Sequence, residues 1–135
     1  MKELTVKSST DNLAQIRDFT QFAALESGFS EENVGKIVLA VDEACTNIIK
    51  HAYRYSPRGD IYISVKLENS KFIISIVDEG IHFDPNIVPE PNIKEYHKKR
   101  KVGGLGMYLM KKLMDEVKYS NLADNRNQVT LVKYL

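Results

Sequence analysis

Glu43-Ala44-Cys45-Thr46-Asn47-Ile48-Ile49-Lys50-His51-Ala52 is the stretch on which the reading of this chain turns, inside a proline-free run from Ser30 to Arg54. Ser30 is suited to cap a helix whose first turn carries Glu31 and Glu32 at the positive end of the helix dipole. Val34, Val38, Val41, Cys45, Ile48 and Ala52 recur at steps of four and three, which predicts a long helix with one stripe facing a core. With about 100° of rotation per residue, Glu43, Asn47 and Lys50 share the opposite side, flanked by Ala40 and Ala44. A carboxylate and a carboxamide one turn apart suit a polar site: Glu takes a proton, and Asn offers a neutral oxygen to a hard cation. The same pair also fits a solvated helix face, so the decision passes to the rest of the chain.

Upstream, Leu4 and Val6 alternate with Glu3, Thr5 and Lys7 as a half-buried strand. Thr10-Asp11 then opens a helix with Leu13, Ile16, Phe19, Phe22, Ala23 and Leu25 as its apolar surface, and Gly28 closes it. Downstream of the central helix comes the turn Tyr53-Arg54-Tyr55-Ser56-Pro57-Arg58-Gly59. Asp60 to Leu67 and Lys71 to Val77 follow, with apolar residues at every second position around Asn69-Ser70, an antiparallel hairpin.

The hairpin runs into Asp78-Glu79-Gly80-Ile81-His82. An acid and a glycine at a strand end make either a plain turn or a ligand contact, with the carboxylate accepting from an amino group while Gly80 admits close approach. From Asn86 to Val102 the periodicity gives way to Pro89, Pro91 and the basic run His97-Lys98-Lys99-Arg100-Lys101, a long loop of the kind that forms lids. Gly103-Gly104-Leu105-Gly106 leads into a helix from Met107 to Glu116, and backbone N–H groups at such a helix start suit phosphate. Neither a Walker motif nor a dinucleotide fingerprint is present. Val117 to Asn121 and Gln128 to Leu135 read as closing strands around a turn at Asp124 to Asn127.

The 135 residues are expected to form a single domain, 1–135, and 43% hydrophobic with 27% charged residues describes an ordinary globular chain. Nineteen basic against eighteen acidic side chains leave a net charge of +1, which recommends neither nucleic acid nor an anionic membrane as partner. Cys45, the one cysteine, lies on the apolar stripe and fits buried packing in a reducing compartment. No apolar run reaches the roughly 18 residues of a membrane span and no signal region opens the chain, so a cytoplasmic location is expected.

Taken in order, these motifs resemble the GHKL nucleotide-binding fold of gyrase B subunits, heat-shock chaperone ATPase domains, histidine kinases and mismatch-repair proteins. Glu43-Ala44-Cys45-Thr46-Asn47 and Gly104-Leu105-Gly106-Met107-Tyr108-Leu109-Met110 in so short a chain most resemble bacterial anti-sigma-factor serine kinases. The resemblance covers nearly the whole chain. It implies an α+β two-layer sandwich of Bergerat type: a mixed, mostly antiparallel sheet covered by helices on one face, with an ATP lid at about 86–102. It also implies ATP and Mg2+ as cofactors, Glu43 as catalytic base and Asn47 as magnesium ligand, with Lys50 and His51 continuing the same box. Asp78 matches the adenine-selecting carboxylate, Gly80 its adjacent glycine, and Thr130 a hydroxyl supporting adenine recognition. Gly103, Gly104, Leu105 and Gly106 take the phosphate-loop positions, with Arg100 or Lys101 closing over the phosphates. His82 departs from the pattern, standing where the family commonly has glycine.

The implied activity is ATP-dependent phosphorylation of a serine on an anti-sigma-factor antagonist of the STAS type, combined with sequestration of a sigma factor by a homodimer. The alternative is an ATP-controlled binding module without productive transfer. Having both Glu43 and Asn47 favours the kinase, because binding alone needs the glycines and Asp78 more than a base.

Overall fold

The structure, a computed structural model, describes residues 1–82 and 109–135. The expected lid at 86–102, with Arg100 and Lys101, and the loop residues Gly103, Gly104, Leu105 and Gly106 lie outside the described residues.

Strand β1 (Lys2–Lys7) is followed by a short 3-10 turn at Thr10–Asn12, capped by Ser9, and then by α1 (Leu13–Ser27). Gly28 ends α1 at φ 103°, a left-handed conformation that glycine adopts without strain. Helix α2 (Glu31–Asn47) starts as expected at Ser30, whose hydroxyl accepts from the Asn33 amide at 3.2 Å. Ser30→Ala removes that acceptor and is expected to cost about 1 kcal/mol. Urea unfolding should move the midpoint without changing the slope, and an unmoved midpoint refutes the cap.

The central helix does not stay α-helical to its end. Ile48–Ala52 form a π-helical turn, in which the Tyr53 amide donates to the Ile48 carbonyl at 3.0 Å. Such wider turns re-aim side chains and occur often at functional sites. Here the turn carries Lys50 and His51.

Strands β2 (Asp60–Glu68) and β3 (Lys71–Asp78) form the predicted hairpin, with Asn69 and Ser70 both at positive φ as a tight primed turn requires. β4 (Glu116–Asn121) and β5 (Asn127–Tyr134) form the second hairpin, and the sheet order is β1-β2-β3-β5-β4. Residues 109–113 are helical, but Glu116, expected in that helix, is already paired with Val132. Asp115 is held against β5 by its amide on the Val132 carbonyl, 2.9 Å, and by its carboxylate on the Tyr134 amide, 2.7 Å.

Every neighbouring pair of described strands is antiparallel, so the sheet is antiparallel throughout rather than mixed. The reason is the connection: a single crossover helix makes a parallel pair, whereas α1 and α2 together return the chain to the end of the sheet it left. Lys7 therefore pairs with Asp60, and the ends of β1 and β3 and the starts of β2 and β5 all meet at one end of the sheet.

The inner face contributes Ile61, Ile63, Val65, Phe72, Ile74, Ile76, Val129 and Leu131 to a core shared with Val34, Ile37, Val41, Cys45 and Ile48 of the central helix. Phe72, 1% exposed, meets Phe29 edge-on at 5.5 Å between ring centroids. From α1 the core takes Ile16, Thr20, Ala23 and Ala24, with Leu13 and Phe19 packed at its margin. Phe22 and Leu25, expected on the apolar surface, are 62% and 47% exposed, because the buried stripe is narrower than the run of apolar letters. Ser8 ties the turn after α2 to β1: its amide donates to the Gly59 carbonyl, and its hydroxyl donates to the Ser56 carbonyl and accepts from the Gly59 amide.

Candidate active site

The C-terminal half of α2 and the end of β3 meet at the sheet end where those strand termini gather. Asp78 closes β3 with its side chain on the core face, 3% exposed. A carboxylate so buried must be hydrogen-bonded. Its Oδ1 accepts from the Gly80 amide at 2.9 Å and from the Asn127 carboxamide nitrogen at 3.0 Å. Both donors converge on one oxygen, which leaves Oδ2 open to a further donor. Burial raises the Asp78 pKa, while Asn127 and the Gly80 amide partly offset it by stabilising the charged form.

Gly80 stands where no other residue fits. A Cβ placed on it would come within 2.6 Å of the Ala52 carbonyl carbon and oxygen, and the next amide, Ile81, donates to that same oxygen at 2.8 Å. The carboxylate turn is thus seated directly on the end of the helix that carries Glu43 and Asn47. His82 is exposed and lowers the Asp78 pKa weakly by its charge.

Glu43 is half-buried, and its pKa is raised first by burial and then by the neighbouring Asp42 charge, with Lys50 acting against both. A carboxylate moved toward neutrality is suited to accept a proton. Asp42 itself is fixed by Arg17 of α1 at 2.7 Å. Burial and the Lys50 charge lower the His51 pKa.

Asn47 is 5% exposed, and its carboxamide nitrogen is buried without a hydrogen-bond partner among the described residues. A buried amide left short of a partner is costly unless something completes it. The chemistry of the group fits a phosphate with its cation, the nitrogen donating to a phosphate oxygen and the oxygen ligating the ion.

Thr130 is not brought to this site. It pairs with Ser75 in β5, on the sheet face opposite Asp78, because side chains alternate along a strand and Asp78 pairs with Asn127. Asn127 is the residue that reading the sequence missed. Its carboxamide holds Asp78 Oδ1 and the Gly80 carbonyl, the latter at 3.1 Å. The signal available was register: within β5, only positions an even number of residues from Val129 share its inner face. Cys45 is buried and its thiol pKa is pushed far up, so it packs without thiol chemistry.

An antiparallel sheet with helices on one face, and a buried strand-end carboxylate seated on a helix bearing Glu and Asn one turn apart, define a histidine kinase-like ATPase domain. That family matches residues 6–133, and the chain belongs to it. Within it, the chain is similar to proteins named serine-protein kinase RsbW. The one from Bacillus subtilis is 30% identical over 98% of this chain and 84% of that protein. The one from Bacillus licheniformis is 32% identical over 83% of this chain and 71% of that protein. In fold it is similar to the solved RsbU and RsbW domains of a Mycobacterium tuberculosis protein, with TM-score 0.69 and 19% identity over 100% of this chain and 33% of that one. The SiaB–SiaC complex from Pseudomonas aeruginosa is similar at TM-score 0.63 and 11% identity, covering 100% of this chain and 90% of that one. Among the described residues, no helix is long and apolar enough to cross a membrane.

Proposed function

We propose that this chain is an ATP-dependent protein-serine kinase that acts as an anti-sigma factor in the cytoplasm, phosphorylating a STAS-type antagonist and, as a homodimer, sequestering a sigma factor. The observation that carries the reading is Glu43: a half-buried carboxylate with a raised pKa, one turn from Asn47, whose amide nitrogen has no partner among the described residues, in a chain 30% identical to a serine-protein kinase over 98% of its length.

Asp78 Oδ2 accepts from the 6-amino group of adenine, where guanine carries a carbonyl oxygen instead. Asn47 would hold Mg2+, and Lys50 and His51 lie on the turn that follows it. When bound, the ion supplies charge compensation on the transferring phosphoryl group. Glu43 accepts the proton of the incoming serine hydroxyl as its oxygen bonds to the γ-phosphorus and the bond to the β-phosphate oxygen breaks. Gly103, Gly104, Leu105 and Gly106 take the phosphate tail on their amides, and Arg100 or Lys101 closes over it.

The test is intact-mass measurement of a STAS-domain antagonist after incubation with this protein and Mg-ATP. Gain of one phosphoryl group is expected. ATP binding without that gain, across the antagonists encoded alongside the chain, rejects the kinase in favour of a nucleotide-controlled binding module.

The pH dependence follows from the same group. Protonated Glu43 cannot accept, and its pKa lies above the ordinary 4.5. At saturating ATP the transfer rate should therefore fall as pH drops, with the acid limb centred above that value. A rate that stays flat through that range removes Glu43 as the base.

A further inference from the structure

Three successive amides fix the turn after Asp78. The Glu79 amide donates to the Tyr53 hydroxyl at 2.8 Å, the Gly80 amide to Asp78 Oδ1 at 2.9 Å, and the Ile81 amide to the Ala52 carbonyl at 2.8 Å. Two of those acceptors, from Ala52 and Tyr53, are consecutive at the end of the central helix. The Tyr53 hydroxyl has a second duty, donating to the Asp60 carbonyl at 2.6 Å. Its ring is held by close packing, for a Cβ on Gly59 would lie 2.2 Å from Tyr53 Cε1.

We infer that Tyr53 is a positioning residue for adenine selection: its hydroxyl, fixed between the Asp60 carbonyl and the Glu79 amide, holds the turn in the register that aims Asp78 at the base. The inference rests on the proposed adenine contact of Asp78. Its physical content is that one phenol oxygen joins the end of the catalytic helix, the start of β2 and the loop after β3. Without it, the Glu79 amide loses its acceptor and the Asp60 carbonyl its donor, while the ring, packed on Gly59, keeps its place. The turn then retains its Ala52 and Asn127 contacts, but the Glu79 peptide is no longer pinned, and the Gly80 amide that sets the angle of the Asp78 carboxylate shifts with it.

The experiment compares Tyr53→Phe with the parent protein for two nucleotides, ATP and purine riboside triphosphate, which carries hydrogen in place of the amino group. Calorimetry of the full chain with magnesium reads both affinities, and thermal unfolding checks the fold. The parent should prefer ATP. In Tyr53→Phe, ATP affinity should fall about tenfold and purine riboside triphosphate affinity by less than about twofold, so the preference collapses. Equal losses for the two nucleotides would make Tyr53 a general structural support and overturn the inference. A preference retained in the variant overturns it alone, whereas no preference in the parent overturns the adenine reading of Asp78 and this inference with it.

Discussion

Glu43→Gln is expected to reduce phosphoryl transfer by about 10²- to 10⁴-fold, the range that a positioned general base contributes, while leaving ATP affinity within about twofold. Glutamine has the size and hydrogen-bonding reach of glutamate but cannot accept the serine proton. The side chain is half-buried, so the substitution also relieves the cost of confining a charge beside Asp42, and the variant should fold at least as well as the parent. Phosphoserine formation under single-turnover conditions, beside calorimetric ATP binding, separates the two effects. Transfer at the parental rate would show that the proton leaves by another route. Loss of transfer and binding together would place Glu43 among the binding groups instead.

Asp78→Asn should weaken ATP binding by roughly 1 to 3 kcal/mol, about 5- to 150-fold, because neither orientation of the new amide satisfies its surroundings. With its oxygen toward the Gly80 amide and the Asn127 nitrogen, the amide nitrogen faces the adenine amino group, donor against donor. Turned over, it meets two donors inside the protein. The ordinary compensation for an Asp-to-Asn change, a simple flip, is closed here by Asn127. Affinity equal to the parent would mean that the base is recognised elsewhere. A purine lacking the amino group should bind parent and variant with much smaller difference, which ties the effect to that one contact.

Much of this was legible because the strongest local signals agreed with the fold. The stripe from Val34 to Ala52 marked the central helix, Ser30 its start, and the alternation on either side of Asn69-Ser70 a hairpin whose register is now explicit. Asp78 was readable as a site candidate because the apolar alternation of β3 runs straight into an acid followed by Glu79 and Gly80; that it is buried on the inner face came with the structure. Three features resisted. The π turn at Ile48–Ala52 leaves no mark in apolar spacing, since a wider turn keeps Ile48 and Ala52 buried just as an α turn would. Phe22 and Leu25 carry the letters of a core without its position. Thr130, expected to support adenine recognition, stands on the sheet face opposite Asp78, because which residue lies opposite another across two strands is a matter of pairing between segments far apart in the chain.

The sequence by itself determined the elements, the helix that carries Glu43 and Asn47, and the chemical type of each group, since these depend on periodicity, caps and side-chain functionality within a few residues. Tertiary structure alone decided that Asn127 and not Thr130 meets Asp78, that Gly80 is pressed on Ala52, and that the Asn47 amide nitrogen is buried with no partner among the described residues. Those facts come from long-range contact, where a strand's register and a backbone's closest approach are set by how the layers pack, and no local pattern encodes them.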